Sequence, residues 1–306
     1  MARTEYFKSI QIDSETSSTS GDTILISKTL IIFDFDDTLF CTKYFDTFSI
    51  PYKDIFNNRI SLEEINPGLV IELKQLENTI LELFNNLQKK YDMIIISNAE
   101  LKWINNCMIY FFEQLNEYIN DNKIKIYSAK NIFSKLIKDK TKWKIKCFKK
   151  AIKELYKNDI NIDLNVISIG DGIEEKEAVF NLTKNTEFNK KIKPKYINMI
   201  SFPSASSIIL QLKYLNDNIN DIILSNQSIY KMVIQIKNDN VEINCVAQKK
   251  KKNENNLIKN NNYFCLDRMS INENYNDALF YYILEEEEDN KDYFGNKLLK
   301  KRLFYN

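Results

Sequence analysis

The chain has 306 residues, 44% hydrophobic and 28% charged, with 43 basic against 42 acidic side chains and a formal net charge of +1. That balance excludes a bulk electrostatic drive towards nucleic acid or an anionic membrane, and no apolar run approaches the roughly 20 residues of a membrane-spanning helix. Histidine is absent, which removes every Ser–His, Cys–His and histidine-ligated metal mechanism that the chain would have to supply alone.

Taken in order, MARTEYFKSIQIDSE carries acids and lacks the continuous apolar core of a secretory signal, and DSETSSTSGDT (13–23) reads as a polar lead-in. Residues 1–27 are therefore expected to form a flexible segment. From Lys28 onward, the apolar runs TLIIF (29–33), MIIIS (93–97), IKIYS (124–128), NVISI (165–169) and YINMISF (196–202) alternate with helical patterns. Leu73, Leu76, Ile80, Leu83, Phe84 and Leu87 share one helical face, with Ser61 and Glu64 as a capping box ahead of it. Trp103, Cys107, Tyr110 and Phe111, then Phe148, Ala151, Ile152 and Leu155, repeat the spacing and read as core. This alternation predicts an α/β fold, a Rossmann-like three-layer parallel sheet over 28–215. Residues 216–306 read as a small C-terminal extension. In it, Met232, Ile234 and Ile236 alternate against Val241, Ile243 and Cys245 around Asn238-Asp239-Asn240, a predicted β-hairpin. The tract 249–262 reads as a disordered linker, and DALFYYILEEEE as a helix before the basic LLKKRLFYN. Cys41, Cys107, Cys147, Cys245 and Cys265 are scattered and odd in number, which favours reduced thiols in the cytoplasm, with the nucleus as the alternative.

The stretch IIFDFDDTLF (31–40) breaks the strand rules, because Asp34, Asp36 and Asp37 follow an apolar run directly. Clustered carboxylates repel and lose hydration unless a positive group compensates them. In a parallel sheet such residues lie at the carboxyl edge, where sites form. The other strand ends bring Ser97 and Asn98, then Gly170-Asp171-Gly172 with Glu174 and Glu175, while Lys144 begins a helix. Asp34, Asp36 and Asp171 make an oxygen-rich set suited to Mg²⁺, and Lys144 and Ser97 can hold phosphoryl oxygens. A carboxylate can act as a nucleophile, and a second one two residues on can serve as acid and base. Asp37 reads as loop-capping or solvent-facing, and Lys138, Lys140, Lys142 and Lys146 as a solvated face around Lys144.

D-F-D-D-T-L at 34–39 resembles the first motif of the haloacid dehalogenase (HAD) superfamily, with Ser97, Lys144 and G-D-x-x-x-E at 170–175 resembling the other three. SNAE-x-x-W, TKWK and SIGD are similar to phrases of a compact, uncapped branch whose substrate is not established. The resemblance spans roughly 28–210. It implies Asp34 as nucleophile and metal ligand, Asp36 as general acid/base with its carbonyl on the metal, and Asp171 as a Mg²⁺ ligand. Thr38 would orient the loop and, with Ser97, Asn98 and Lys144, complete the phosphate-binding set. Glu175, or Glu174 in a shifted loop, would hold a metal-bound water.

Residues 39–96 and 99–143 leave no room for a full cap domain. The expected function is therefore a Mg²⁺-dependent phosphomonoester hydrolase with an open site, acting on a small-molecule or protein phosphate. A catalytically idle scaffold that binds a protein partner is the alternative, and a phosphotransferase would need an acceptor that no cap holds.

Overall fold

Strand β1 (Ile26–Phe33) contains TLIIF, whose β-branched and aromatic side chains suit burial on both faces of a sheet. In this computed structural model, which describes residues 26–159, 162–184, 191–237, 240–248 and 269–271, β1 is central. Three short helices follow it, α1 (Thr42–Thr47), α2 (Tyr52–Phe56) and α3 (Leu62–Ile65), then the long α4 (Pro67–Gln88). Next come β2 (Asp92–Ser97), α5 (Leu101–Phe111), α6 (Glu113–Asp121), β3 (Lys125–Ser128), α7 (Ala129–Phe133) and α8 (Thr141–Leu155). The remaining elements are β4 (Ile162–Gly170), α9 (Ile173–Asn181), β5 (Lys191–Asn198), α10 (Ala205–Leu224), β6 (Ile229–Lys237), β7 (Asn240–Ala247) and β8 (Met269–Ile271).

One sheet runs in the order β3-β2-β1-β4-β5-β6-β7-β8. It is parallel from β3 to β6, and β7 and β8 add antiparallel pairings. Successive residues of β1 feed opposite cores, as the period of a strand requires. Ile31 and Phe33 pack with α4, α5 and α10, whereas Leu30 and Ile32 pack with α8 and α9. Each such side chain contributes about 1.5–3 kcal/mol by leaving water. The protein is thus an α/β protein with a mostly parallel, Rossmann-like sheet covered on both faces. Among the described residues, no helix is long and apolar enough to cross a membrane.

Several boundaries differ from the sequence expectation. Strand β5 begins at Lys191 rather than 196 and ends at Asn198, before Met199 and Ile200 leave the sheet. Pro194 hides this strand in the sequence, since proline lacks a ladder donor. It is tolerated because β6 pairs only with Tyr196–Asn198 and never reaches Pro194. The Ser61–Glu64 capping box exists, but it starts α3; α4 is capped by Asn66, with Pro67 opening the helix. Helix α10 crosses position 215 without a break, and the predicted hairpin, β6 with β7, continues the same sheet. Cys41, Cys107, Cys147 and Cys245 are free and buried. The lead-in at 13–23, Asn238-Asp239, the 249–262 tract, Cys265, DALFYYILEEEE and LLKKRLFYN lie outside the described residues.

Candidate active site

The chain leaves β1 for β2 on one side, and the return from β3 crosses to β4 on the other, so the sheet order reverses between β1 and β4. Open parallel sheets offer a crevice at the carboxyl edge of such a point. Asp34 lies there, its backbone N–H bonded to the Ile169 carbonyl at 2.9 Å, which ties the end of β1 to the end of β4.

Lys144 is the buried member of its lysine run, 3% exposed, while Lys138, Lys140, Lys142 and Lys146 face solvent. Its helix turns Trp143, Cys147, Phe148 and Ala151 into the core, which carries Lys144 inward with them. The ammonium sits 2.9 Å from Asp34 Oδ1 and also pairs with Glu175 Oε1. Glu175 is 2% exposed and turned towards Lys144, whereas Glu174 is half-buried. Two glycines make the room. A Cβ at Gly170 would lie 2.5 Å from Glu175 Cγ, and one at Gly172 would lie 2.6 Å from Glu175 Oε2. In this dry setting each charge depends on the others, because an unpaired buried ion costs several kcal/mol.

Asp36 is held by neutral donors. Thr42 Oγ1 donates to its Oδ1 at 2.6 Å, and the Trp103 indole N–H donates to the same atom at 2.9 Å. The Ser97 hydroxyl lies 3.5 Å from Oδ2 and also accepts from the Ala99 N–H. Burial, and then the neighbouring Asp34 charge, pushes the Asp36 carboxyl above the usual carboxylate range, with Thr42 and Trp103 pulling it part of the way back. Trp103 packs edge-on against Tyr52 and Phe56, so it is core as its spacing suggests. Its N–H nevertheless needs a partner, and that partner is Asp36.

Asp37 faces inward rather than towards solvent, and it does cap the loop. At φ 54° it turns the chain, and its Oδ1 accepts from the Lys43 N–H at 2.9 Å. The Lys43 ammonium lies 3.2 Å from Asp37 Oδ2, 3.0 Å from Asp171 Oδ2 and 4.3 Å from the centre of the Phe202 ring. Burial pushes the Asp37 carboxyl up to about 6, against the pull of Lys43. Asp171 is likewise raised by burial and partly restored by Lys43. The Tyr196 hydroxyl donates to the Gly172 carbonyl at 2.7 Å and steadies the Gly170–Gly172 turn.

Five carboxylates (Asp34, Asp36, Asp37, Asp171 and Glu175) share these strand ends with two ammonium groups, Lys43 and Lys144. Glu175 Oε2, Asn98 Oδ1 and Thr38 Oγ1 are buried with no hydrogen-bond partner. Hard oxygen donors with excess negative charge fit Mg²⁺ in kind. As placed, however, no three acidic or cysteine side chains among the described residues converge closely enough to hold a metal ion. The gaps between carboxylates are spanned by the two lysines instead.

Asp34, Asp36, Ser97, Lys144, Asp171 and Glu175 are thus brought to one edge, with Thr38 buried in the first loop and Asn98 beside Ser97. Sequence reading did not single out Thr42, Lys43, Tyr196 or Phe202, and it placed Trp103 in the core and in the SNAE-x-x-W phrase without a role at the site. The available signal was a polar pair, Thr42-Lys43, opening a helix soon after the aspartates. No family model, curated protein or solved structure matches this chain.

Proposed function

We propose that the chain is a Mg²⁺-dependent phosphomonoester hydrolase of the HAD type that works through an aspartyl-phosphate on Asp34. The observation that supports this reading best is the buried Asp34–Lys144–Glu175 group with Asp36 two residues away, held by Thr42 and Trp103 at the point where the sheet order reverses. Asp34 attacks phosphorus and the ester oxygen departs with the proton of Asp36, whose raised carboxyl suits it to arrive protonated. Asp36 then takes a proton from water, which attacks phosphorus, releases phosphate and restores Asp34. Lys144, with the Ser97 hydroxyl and the Asn98 side chain, holds the phosphoryl oxygens. Asp34, Asp171 and the Asp36 carbonyl would hold Mg²⁺, with Glu175 behind them, and the ion would supply charge neutralisation for the phosphoryl group.

Helices α1 to α3 and the turn at Ile50 pack on the same core as the sheet, through Phe45, Ile50, Ile55 and Leu62, and among the described residues they form no separate lid. An open edge of this kind suits a bulky phosphate ester, including a phosphoprotein.

The test is hydrolysis of p-nitrophenyl phosphate with and without Mg²⁺, comparing the wild type with Asp34→Asn. Metal-dependent turnover lost in the variant is the expected result. A folded chain with neither turnover nor Mg²⁺ binding would sink the reading and leave a scaffold.

A further inference from the structure

Lys43 is the feature that neither the motif nor the proposed chemistry uses. Its backbone N–H is fixed to Asp37, so the base of the side chain is anchored at the start of α1. Its ammonium bridges Asp37 Oδ2 and Asp171 Oδ2 at 3.2 and 3.0 Å. Unlike Lys144, this side chain is 38% exposed and has a route into water. Its far side is covered by Phe202, itself 59% exposed and at φ 55°, a backbone uncommon for an aromatic residue. Strained, exposed residues at a site mouth are where functional constraint is first sought. The ring sits at cation–π range from the ammonium.

A divalent ion on Asp171 would place two positive groups on one carboxylate, and their repulsion at that range opposes its binding while the Lys43 ammonium stays. Excess negative charge persists around them, with Glu175 Oε2 buried and unpartnered. We propose that Lys43 is a resident counter-cation that a divalent ion must displace from Asp171, so that this lysine, backed by Phe202, sets the divalent-cation affinity of the site. The inference rests on the assignment of Asp171 as a metal ligand in the reading above. Displacement leaves α1 in place, since the Lys43 N–H stays on Asp37 while the ammonium swings into water. Lys43 then offsets part of the charge on Asp37 and Asp171 until a divalent ion takes its place.

The experiment is Mn²⁺ binding to the full chain, followed by loss of the free-ion paramagnetic resonance signal, with circular dichroism as the check on folding. Lys43→Met is expected to bind Mn²⁺ about tenfold more tightly, the effect of one partly screened charge. Lys43→Arg keeps the charge and is expected to stay within about twofold of wild type. Phe202→Ala leaves every carboxylate intact and is expected to tighten binding by about twofold to fivefold. Equal or weaker affinity in Lys43→Met, or no Mn²⁺ binding by either form, overturns the inference. If Lys43→Met does not fold, unchanged affinity in Phe202→Ala overturns it. Tighter binding in Lys43→Met without any phosphate turnover keeps this inference and removes the phosphatase reading. Turnover lost in Asp34→Asn, with metal affinity unmoved by Lys43→Met, does the reverse.

Discussion

Two lysines each hold a pair of carboxylates at the same sheet edge, yet their surroundings differ sharply. Lys144, 3% exposed, joins Asp34 and Glu175 in a sealed group, whereas Lys43, 38% exposed, joins Asp37 and Asp171 beneath a single aromatic ring. The chemistry is shared and the dielectric is not. A sealed ion group is rigid and intolerant of losing a member, while a half-wet one can exchange partners at little cost. The first suits an element that must stay in place through a reaction, and the second an element that must move.

Lys144→Met tests this contrast most severely. It strands two buried carboxylates and is expected to cost about 3–5 kcal/mol in urea unfolding, with turnover falling at least about 10³-fold. A loss below about 1 kcal/mol would show that the group is wetter than it looks. Asp37→Asn probes the wetter side through pH. The folded Asp37 carboxyl is raised from 3.8 to about 6, so it favours the folded state below pH 4 and that contribution is lost as pH rises through 6. In EDTA, the variant is therefore expected to gain about 2 kcal/mol relative to wild type between pH 4 and pH 7. A flat difference across that range would contradict the assignment. Between the two clusters, Asp36 is held by neutral donors, and Trp103→Phe removes one of them while keeping most of the ring packing. About tenfold lower kcat at unchanged KM is expected, with the alkaline limb of the pH–rate profile moved upward, because losing this donor raises the Asp36 carboxyl further. A change confined to thermal stability would reduce Trp103 to packing. The smallest effect is expected for Lys43→Met, at about 1–2 kcal/mol in unfolding free energy, because the lysine is partly exposed while the Asp37 carboxylate it leaves is 4% exposed. Equal costs for the two lysine variants would erase the contrast.

Most of the sheet could be read from the chain alone, because β1, β2 and β4 are rich in Ile, Leu, Val and Phe that have no other low-energy home. Strand β5 could not be, since its lysines and Pro194 look like loop until β4 and β6 are known to flank it. The aspartates, Ser97, Lys144 and the Gly170-Asp171 turn stood out because each breaks a local rule at a strand end or helix start. Glu174 and Glu175 were indistinguishable until α9 turned one inward and left the other at the rim. Lys43, Tyr196 and Phe202 carried no such mark. A lysine on a short helix resembles any solvated lysine, and its role exists only once Asp171, far along the chain, is folded against it. Trp103 was hidden by its own packing, since helical spacing reports the ring and not the N–H.

The central position of β1 also bears on how the protein is made. Strand β1 has its long partner, β4, only when Ile162 arrives to face Ile26. At 5–20 residues per second, that interval of about 136 residues lasts roughly 7–27 s. Throughout it, one edge of β1 is uncovered, an apolar ribbon beside a knot of negative charge. Nascent chains stalled near residue 150 should therefore be cut readily by protease within 26–40, and chains stalled after β5 has emerged should resist. The same aspartates that crowd the folded sheet edge repel a second copy of the strand while it waits, which discourages edge-to-edge aggregation.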